Sequence, residues 1–479
     1  MAEAGRSHPI AACRRIPHIE AQPLSVRSVH VCQQCGSESP KWSGQCPACG
    51  AWNTLVETVV PKGPGGRGRP ARTALRVDAV AQPIGSVSSA EADRLTSGLG
   101  EVDRVLGGGF VAGSIVLVGG DPGIGKSTLL LQLAARLAHS GSSVLYITGE
   151  ESVAQVRGRG ERIGAVVRGL DLLATTDLAT AVTAIEAAQP ALAVVDSVQT
   201  LGSDELGGPA GSVGQVREVA SRLAEVAKGG RSCVALVGHV TKEGTVAGPR
   251  TLEHLVDAVL YLEGERLSGT RLLRAAKNRF GSTEEVGVLE MAGDGLVEVA
   301  DASRFFLADG GEVVSGSAVT IALEGTRPLA VEIQALVAPA GYGTPRRATT
   351  GVDVNRVLML IAVLARHAGA NLAGHDVYVN VAGGLRIVEP AADLAIATAL
   401  ASSLRERPVR SGMVLAGEVA LSGRLRAAGR SDRRLAEAQR LGFERLLTGP
   451  ERRGSGAGGK ATVEVADIRT ALEVALGAG

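Results

Sequence analysis

The sequence predicts an α/β fold: a parallel sheet covered by helices forms the core, a small cysteine-rich segment precedes it, and an α+β domain follows. Three observations predict it. Short apolar runs alternate with helical patterns between Leu95 and Arg304, the order expected where crossover helices join parallel strands. A glycine-rich turn ending in Lys and Ser joins one such run, Ile115–Val118, to a helical spacing of Leu129, Leu130, Leu133 and Leu137. Four of the six cysteines fall between residues 32 and 49 as two C-x-x-C pairs, a spacing that suits a metal better than disulfides.

Bulk properties bound the reading. A chain of 479 residues exceeds one ordinary core, so two or three domains are expected. Only 2% of residues are aromatic while Gly numbers 64, which points to Ala/Val/Leu packing with many turns. A net charge of +1 gives no global attraction to nucleic acid, so any such site must be a local patch. No run reaches the roughly eighteen apolar residues of a membrane span, and the first 28 residues lack a signal peptide's apolar block. The expectation is a cytoplasmic protein without membrane contact, in a reducing compartment where paired cysteines hold metal.

Residues 1–28 show no lasting periodicity and are expected to be a disordered extension. In 29–57, Cys32, Cys35, Cys46 and Cys49 form C-x2-C-x10-C-x2-C, with Gly36 and Gly50 after each pair. Four thiolates so spaced complete a closed, tetrahedral Zn²⁺ site, and metal binding would supply the folding energy of so short a segment. A redox C-x-x-C is the alternative, but it lacks a βαβ context. Trp42 and Trp52 either cover the site or offer a partner surface. Residues 58–94 include PKGPGGRGRPARTALR, a flexible linker whose arginines either touch nucleic-acid phosphate or merely solvate a spacer.

The core is placed at 95–304, with strands at Ile115–Val118, Val144–Thr148, Leu192–Asp196, Val234–His239, Ala258–Leu262, Arg271–Ala276 and Gly287–Met291. The pattern G-x-x-x-x-G-K-[ST] is complete from Gly120 to Ser127. Gly120, Asp121, Pro122, Gly123, Ile124, Gly125, Lys126, Ser127 and Thr128 are expected to cradle a nucleoside triphosphate with backbone amides and a helix N-terminus. Lys126 would reach the β- and γ-phosphates, and the Ser127 hydroxyl would hold Mg²⁺. Asp196 ends the apolar run ALAVVD, the Walker-B position for a second Mg²⁺ ligand, and Ser197 follows it. Glu150 and Glu151 end LYITGEE, so one of them can activate water. His239 ends VALVGH and reads either as a γ-phosphate sensor or as a structural residue. Gly-rich stretches at 202–214 and 241–253 are long for connections, which suits binding, and Lys242 and Arg250 give the second positive charge. Lys277 and Arg279 in KNRFG are either a surface turn or cations that reach a neighbouring subunit's nucleotide. Cys233 reads as buried core.

From 305 to 479 the composition changes. Strands are expected at Gly316–Leu323, Leu329–Val337, Asp376–Val381 and Val414–Glu418, and helices at Val352–His367, Ala391–Leu404, Leu435–Leu441 and Ala466–Leu476, with a loop at Gly454–Gly459.

The ordered set CPACGAWNTLVE, GGDPGIGKST, GEES, VVDSVQT, KNRFG and EPAADLAIA resembles the bacterial RadA (Sms) DNA-repair family, related to the RecA recombinases. It covers almost everything after residue 30; the first 28 residues depart from the family's start. The resemblance implies a RecA-like P-loop ATPase core that uses ATP, Mg²⁺ and Zn²⁺. It also implies a hexameric ring, with KNRFG acting in trans and the two long loops lining a DNA channel. The expected function is an ATP-dependent single-stranded-DNA motor promoting branch migration in homologous recombination, nucleoid-associated and working beside a RecA-type recombinase. A nucleotide-gated adaptor without motor activity is the alternative.

The C-terminal part resembles the proteolytic domain of Lon proteases, which use a Ser–Lys pair. The matching stretch Glu389–Asp393 puts Ala391 where that serine would be, and Gly429–Leu435 offers Arg433 or Arg434 but no Lys. Without a hydroxyl nucleophile or a base able to give up its proton, the domain is expected to be a non-proteolytic scaffold, and a Lon-type protease the least favoured reading.

Overall fold

The computed structural model describes residues 26–32, 38–48, 50–61, 94–239, 252–264, 269–307, 314–341, 344–451 and 461–477. Most of the N-terminal extension, most of the linker, Cys35, Cys49, Lys242, Arg250 and the loop at 454–459 lie outside the described residues. The chain divides into two compact units, Met1–Ala79 and Val80–Gly479.

In the first unit, β1 (Val26–Cys32), β2 (Glu38–Ser39) and β3 (Leu55–Pro61) form an antiparallel sheet in the order β2-β1-β3. β3 runs on to Pro61, into the stretch read as linker, because Val59 and Val60 pair with Ser28 and Arg27. Cys32, Cys46 and Leu55 make its buried cluster.

The second unit opens with β4 (Arg94–Leu95), α1 (Gly100–Leu106) and β5 (Phe110–Val111). Then come β6 (Ile115–Gly119), α2 (Lys126–His139), β7 (Val144–Thr148), α3 (Val153–Arg162), β8 (Leu170–Ala174) and α4 (Leu178–Ala188). They are followed by β9 (Leu192–Asp196), α5 (Val213–Gly230), β10 (Cys233–Val237), β11 (Ala258–Glu263), β12 (Thr270–Asn278), β13 (Val286–Ala292) and β14 (Gly295–Glu298). One nine-stranded sheet results, in the order β14-β13-β12-β11-β6-β10-β9-β7-β8.

From β11 to β8 the pairings are parallel. β12, β13 and β14 are antiparallel, so the expected parallel core carries an antiparallel edge. The connections after Glu263 are too short for a crossover helix, so the chain can only turn back. β8 went unread because LDLLA carries no β-branched or aromatic residue. The central strands are buried on both faces. Val116 and Val118 pack with Leu130 and Leu133 of α2 on one side, and Ile115 and Leu117 with Val219 and Leu223 of α5 on the other. Double-sided burial is why these strands read as unbroken apolar runs.

Next come α6 (Ala302–Phe305), β15 (Ser317–Glu324), β16 (Arg327–Pro339), β17 (Arg347–Thr350), α7 (Val354–His367), β18 (His375–Val381) and α8 (Asp393–Arg405). β19 (Met413–Leu415), β20 (Gly417–Val419), β21 (Leu425–Ala427), α9 (Ser431–Arg440), β22 (Arg445–Thr448), β23 (Thr462–Glu464) and α10 (Ile468–Leu476) complete the fold. The sheets are β15-β16-β18-β17, β19-β22-β23 and β20-β21. The expected strand Val414–Glu418 is therefore two strands in different sheets, parted at Ala416, and the helix expected from Ala391 starts at Asp393 after a 3-10 turn, Pro390–Ala392.

Leu272, Val286, Val288 and Phe306 belong to the same buried core as Leu329, Val331 and Leu400, so the antiparallel edge of the large sheet is continuous with the C-terminal layers. Arg274 pairs with Glu324 at 2.7 Å, and Thr270 Oγ1 donates to Gly383 O at 3.1 Å across this join. Among the described residues, no helix is long and apolar enough to cross a membrane.

Candidate nucleotide site

The glycine-rich turn follows β6, and its glycines are fixed by their surroundings. A Cβ on Gly120, whose φ is +150°, would stand 2.4 Å from Leu262 O, and one on Gly125, at φ +115°, would stand 2.6 Å from Met291 Cε. At Gly123 a Cβ would meet nothing within 4 Å, so the loop is braced on one side and open on the other. α2 begins at Lys126, and its first-turn amides face the open side without helical acceptors. Such a cradle fits phosphate.

Lys126 is buried, with Nζ donating to Gly120 O at 2.9 Å and Asp121 O at 3.0 Å. Burial pushes its ammonium below the usual lysine value, against the raising pull of Asp196, Asp121 and Glu150. Those three carboxylates therefore share its electrostatic neighbourhood. Arg271, buried at the start of β12, donates from Nε to Ile124 O at 3.1 Å and braces the loop from behind.

Asp196 and Thr148 are level at the C-terminal ends of β9 and β7, the end of a parallel sheet where ligands bind. Asp196 is only 6% exposed, and its Oδ2 accepts from the Tyr146 hydroxyl at 2.6 Å. The two glutamates separate. Glu150 Oε1 accepts from Ser197 Oγ at 2.6 Å and lies 3.1 Å from His239 Nε2. Glu151 instead pairs with Arg159 of α3. Thus Lys126, Glu150, Asp196 and His239 gather at one end of the sheet, with Ser127 and Thr128 opening α2 beside them. The carboxylate and the hydroxyl donors of Asp196 and Ser127 suit Mg²⁺.

Lys277 and Arg279 are not part of this gathering. Lys277 Nζ donates to Glu253 O at 2.6 Å and Val256 O at 2.8 Å, and Arg279 pairs with Asp257 at 2.9 Å. Asp257 Oδ2 also accepts from Ile115 N, so Arg279 stands level with the start of β6. The phosphate loop leaves the other end of that five-residue strand, roughly 16 Å away.

Sequence reasoning missed four neighbours of the site: Tyr146, Arg159, Ser197 and Arg271. Tyr146 is a polar tip inside an otherwise apolar strand, and Arg271 a cation opening an apolar run, signals that were available. Ser197 was seen only as the residue after Asp196, and nothing in the helix VAQVRGRGER distinguishes Arg159.

In the N-terminal unit, Cys46 N donates to Ala51 O at 2.8 Å and Gly50 N to Cys46 O at 2.9 Å, a tight knuckle closed by Gly50 at φ +74°. Two buried cysteines at one knuckle and one strand end suit Zn²⁺. Trp42 and Trp52 are 58% and 70% exposed, so they present a surface rather than bury Cys32 and Cys46.

In the C-terminal layers, Ala391 is buried with Ile321, Val414 and Ala428. Arg434 is fully buried, paired with Glu389 and donating from Nε to Gly429 O at 2.9 Å. Arg433 is exposed and donates to Thr326 O at 3.2 Å.

Three family profiles match the chain: "Rubredoxin metal binding domain" at 30–57, "AAA domain" at 82–245 and "Lon protease (S16) C-terminal proteolytic domain" at 365–455. Proteins described as DNA repair protein RadA are similar over most of their length. That of Bacillus subtilis is 49% identical over 88% of this chain and 92% of its own, and that of Pseudomonas aeruginosa 48% over 88% and 92%. Among solved structures, a KaiC-like protein from Pyrococcus horikoshii is 19% identical with a TM-score of 0.37, covering 43% of this chain and 99% of its own. The RadB recombinase is 21% identical with a TM-score of 0.34 over the same shares. The expected fold class, an α/β P-loop ATPase core between a zinc ribbon and a Lon-protease-like α+β domain, is the one found, and the core implies ATP and Mg²⁺. By identity and coverage, the chain belongs to the RadA family of bacterial DNA repair proteins.

Proposed function

We propose that the protein is an ATP-driven motor on single-stranded DNA that promotes branch migration of recombination intermediates, as a cytoplasmic, nucleoid-associated ring of six copies working beside a RecA-type recombinase. The observation that carries this reading is the opposite placement of Lys126 and Arg279 along β6. A chain that holds the phosphate loop at one end of a strand and an exposed guanidinium at the other cannot join them itself. Neighbouring copies can, head to tail, and a heterologous contact of that kind closes rings.

Within one subunit, the loop from Gly120 to Thr128 binds the phosphates and Lys126 turns from its two carbonyls to the β- and γ-oxygens. Ser127 and Asp196 would hold Mg²⁺, which when bound neutralises charge on the phosphates. Glu150 takes the proton of the attacking water, its carboxylate oriented by Ser197 and His239. The neighbour's Arg279 and Lys277 stabilise charge on the transferred group. Because His239 lies only three residues before Lys242 and eleven before Arg250 in the sequence, contact of those cations with DNA phosphate would be felt by Glu150.

Residues 29–57, together with the strand ends that reach Val26 and Pro61, act as a zinc ribbon on four thiolates, the stretch between Pro61 and Arg94 as a tether, 95–304 as the motor and 305–479 as a scaffold without protease activity. The Ala391 methyl and the Arg434–Glu389 pair support that last part, since neither a hydroxyl nucleophile nor a neutral amine stands there. The test is ATP hydrolysis by the full chain with and without single-stranded DNA over a salt series, alongside extension of a three-strand intermediate. Stimulation that fades with salt, and extension lost in Lys126→Ala, are expected. Hydrolysis indifferent to DNA, with no extension, would favour the adaptor reading.

A further inference from the structure

Behind the nucleotide site lies a polar group that the proposed chemistry does not use. Tyr146 is fully buried in β7, beside β9, and its hydroxyl reaches Asp196 Oδ2 at 2.6 Å. Arg159, reaching in from α3, brings Nη1 to 3.9 Å of the same oxygen while it pairs with Glu151. One donor, the Tyr146 hydroxyl, thus holds Oδ2 from the protein side, and the Arg159 charge stands near the same oxygen without a hydrogen bond to it. The terminal torsion of an aspartate is broad and two-fold, so backbone position alone does not select which oxygen faces the phosphates. A fixed donor on one oxygen does.

We propose that Tyr146 and Arg159 are positioning residues for the metal: the Tyr146 hydroxyl engages Oδ2 of Asp196 while the Arg159 charge stands beside that oxygen, leaving Oδ1 to face Mg²⁺ and its water shell, and Glu151 anchors Arg159 instead of activating water. The proposal rests on the reading of Asp196 as the Mg²⁺ carboxylate. It explains why two neighbouring acidic residues at the end of β7 have different partners, and why an arginine stands close to a carboxylate meant for a cation. A single long approach of 3.9 Å orients the group without neutralising it. Partners of this kind behind a metal ligand are worth about 10- to 100-fold in metal affinity.

The test uses full-length Tyr146→Phe, which keeps the ring and removes only the donor, with Arg159→Gln as a second variant should the first fail to fold. Binding of a fluorescent ADP analogue is measured in EDTA and against rising Mg²⁺. The expected result is an analogue affinity in EDTA equal to that of the unaltered protein, with the Mg²⁺ midpoint raised about tenfold. Asp196→Asn serves as the reference. If Asp196→Asn raises the midpoint and both other variants leave it unmoved, or lose affinity equally with and without Mg²⁺, the positioning role is overturned and the reading of Asp196 stands. If Asp196→Asn itself leaves the midpoint unmoved, the reading of Asp196 falls and the proposal with it.

Discussion

Arg279 reaches Asp257 across 2.9 Å at the end of the sheet where the central strand β6 begins, whereas the phosphate loop leaves the other end of that strand. The same Asp257 carboxylate accepts from Ile115 N at 3.1 Å, so it is fixed to the sheet, yet the guanidinium side chain is 56% exposed. Held by Asp257 through one guanidinium nitrogen while most of the side chain stays exposed, Arg279 lies at the surface. Arg279→Ala is therefore expected to fold and bind nucleotide normally while turnover falls by about 10³-fold or more. Arg279→Lys should rescue little, since an ammonium lacks the planar fork. Equilibrium nucleotide binding beside steady-state hydrolysis checks both.

The two glutamates after β7 should behave differently. Glu150→Gln removes the carboxylate held between Ser197 and His239, and single-turnover hydrolysis is expected to slow about 10²- to 10⁴-fold with nucleotide still bound. Glu151→Gln loosens Arg159 and should cost much less. Equal losses would contradict the division of roles.

The pair Arg434–Glu389 occupies the ground where a Lon-type nucleophile and base would work. Glu389→Gln leaves a fully buried guanidinium short of its counter-charge, at an expected cost of about 3–5 kcal/mol in denaturant unfolding. Replacing both residues by Met should cost less than the single change. Ala391→Ser should not produce casein cleavage, because Gly429–Leu435 offers arginines and no lysine, and a guanidinium does not give up its proton to serve as base.

Arg440 grips Asp301 in bidentate fashion, both contacts at 2.9 Å. Hydrogen bonding from Arg440 holds the Asp301 carboxyl down at about 2, from an ordinary 3.8. A depressed folded-state value means stabilisation that is present above about pH 4 and lost as pH falls towards 2. The urea midpoint of Arg440→Ala should accordingly lie below that of the unaltered protein at pH 6, and the gap should close between pH 4 and 2. A gap independent of pH would assign the loss to packing instead.

The parts of the site that could be read from sequence are those in which one polar residue ends an apolar run. Asp196 closes a buried strand, Glu150 and His239 each follow one by two residues, and the phosphate loop is written in consecutive residues. What stayed hidden depends on which strands become neighbours. Tyr146 touches Asp196 only because β7 lies beside β9, a long-range fact absent from either segment. The direction of the edge strands was hidden for a related reason: the apolar residues of β12 and β13, covered by the C-terminal layers, carry no mark of which way a strand runs. Choosing between Glu150 and Glu151 likewise needed Ser197 and Arg159 to arrive from other elements.

The subunit joint is tested most directly by mixing two variants, Lys126→Ala and Arg279→Ala, and following ATP hydrolysis with single-stranded DNA present. Each alone should be inactive. In mixtures, an Arg279→Ala subunit contributes an intact phosphate loop and its Lys126→Ala neighbour contributes an intact Arg279, so some joints are complete and activity should return, greatest near equal proportions. Mixed assemblies that recover no hydrolysis at any ratio would contradict a site shared between subunits.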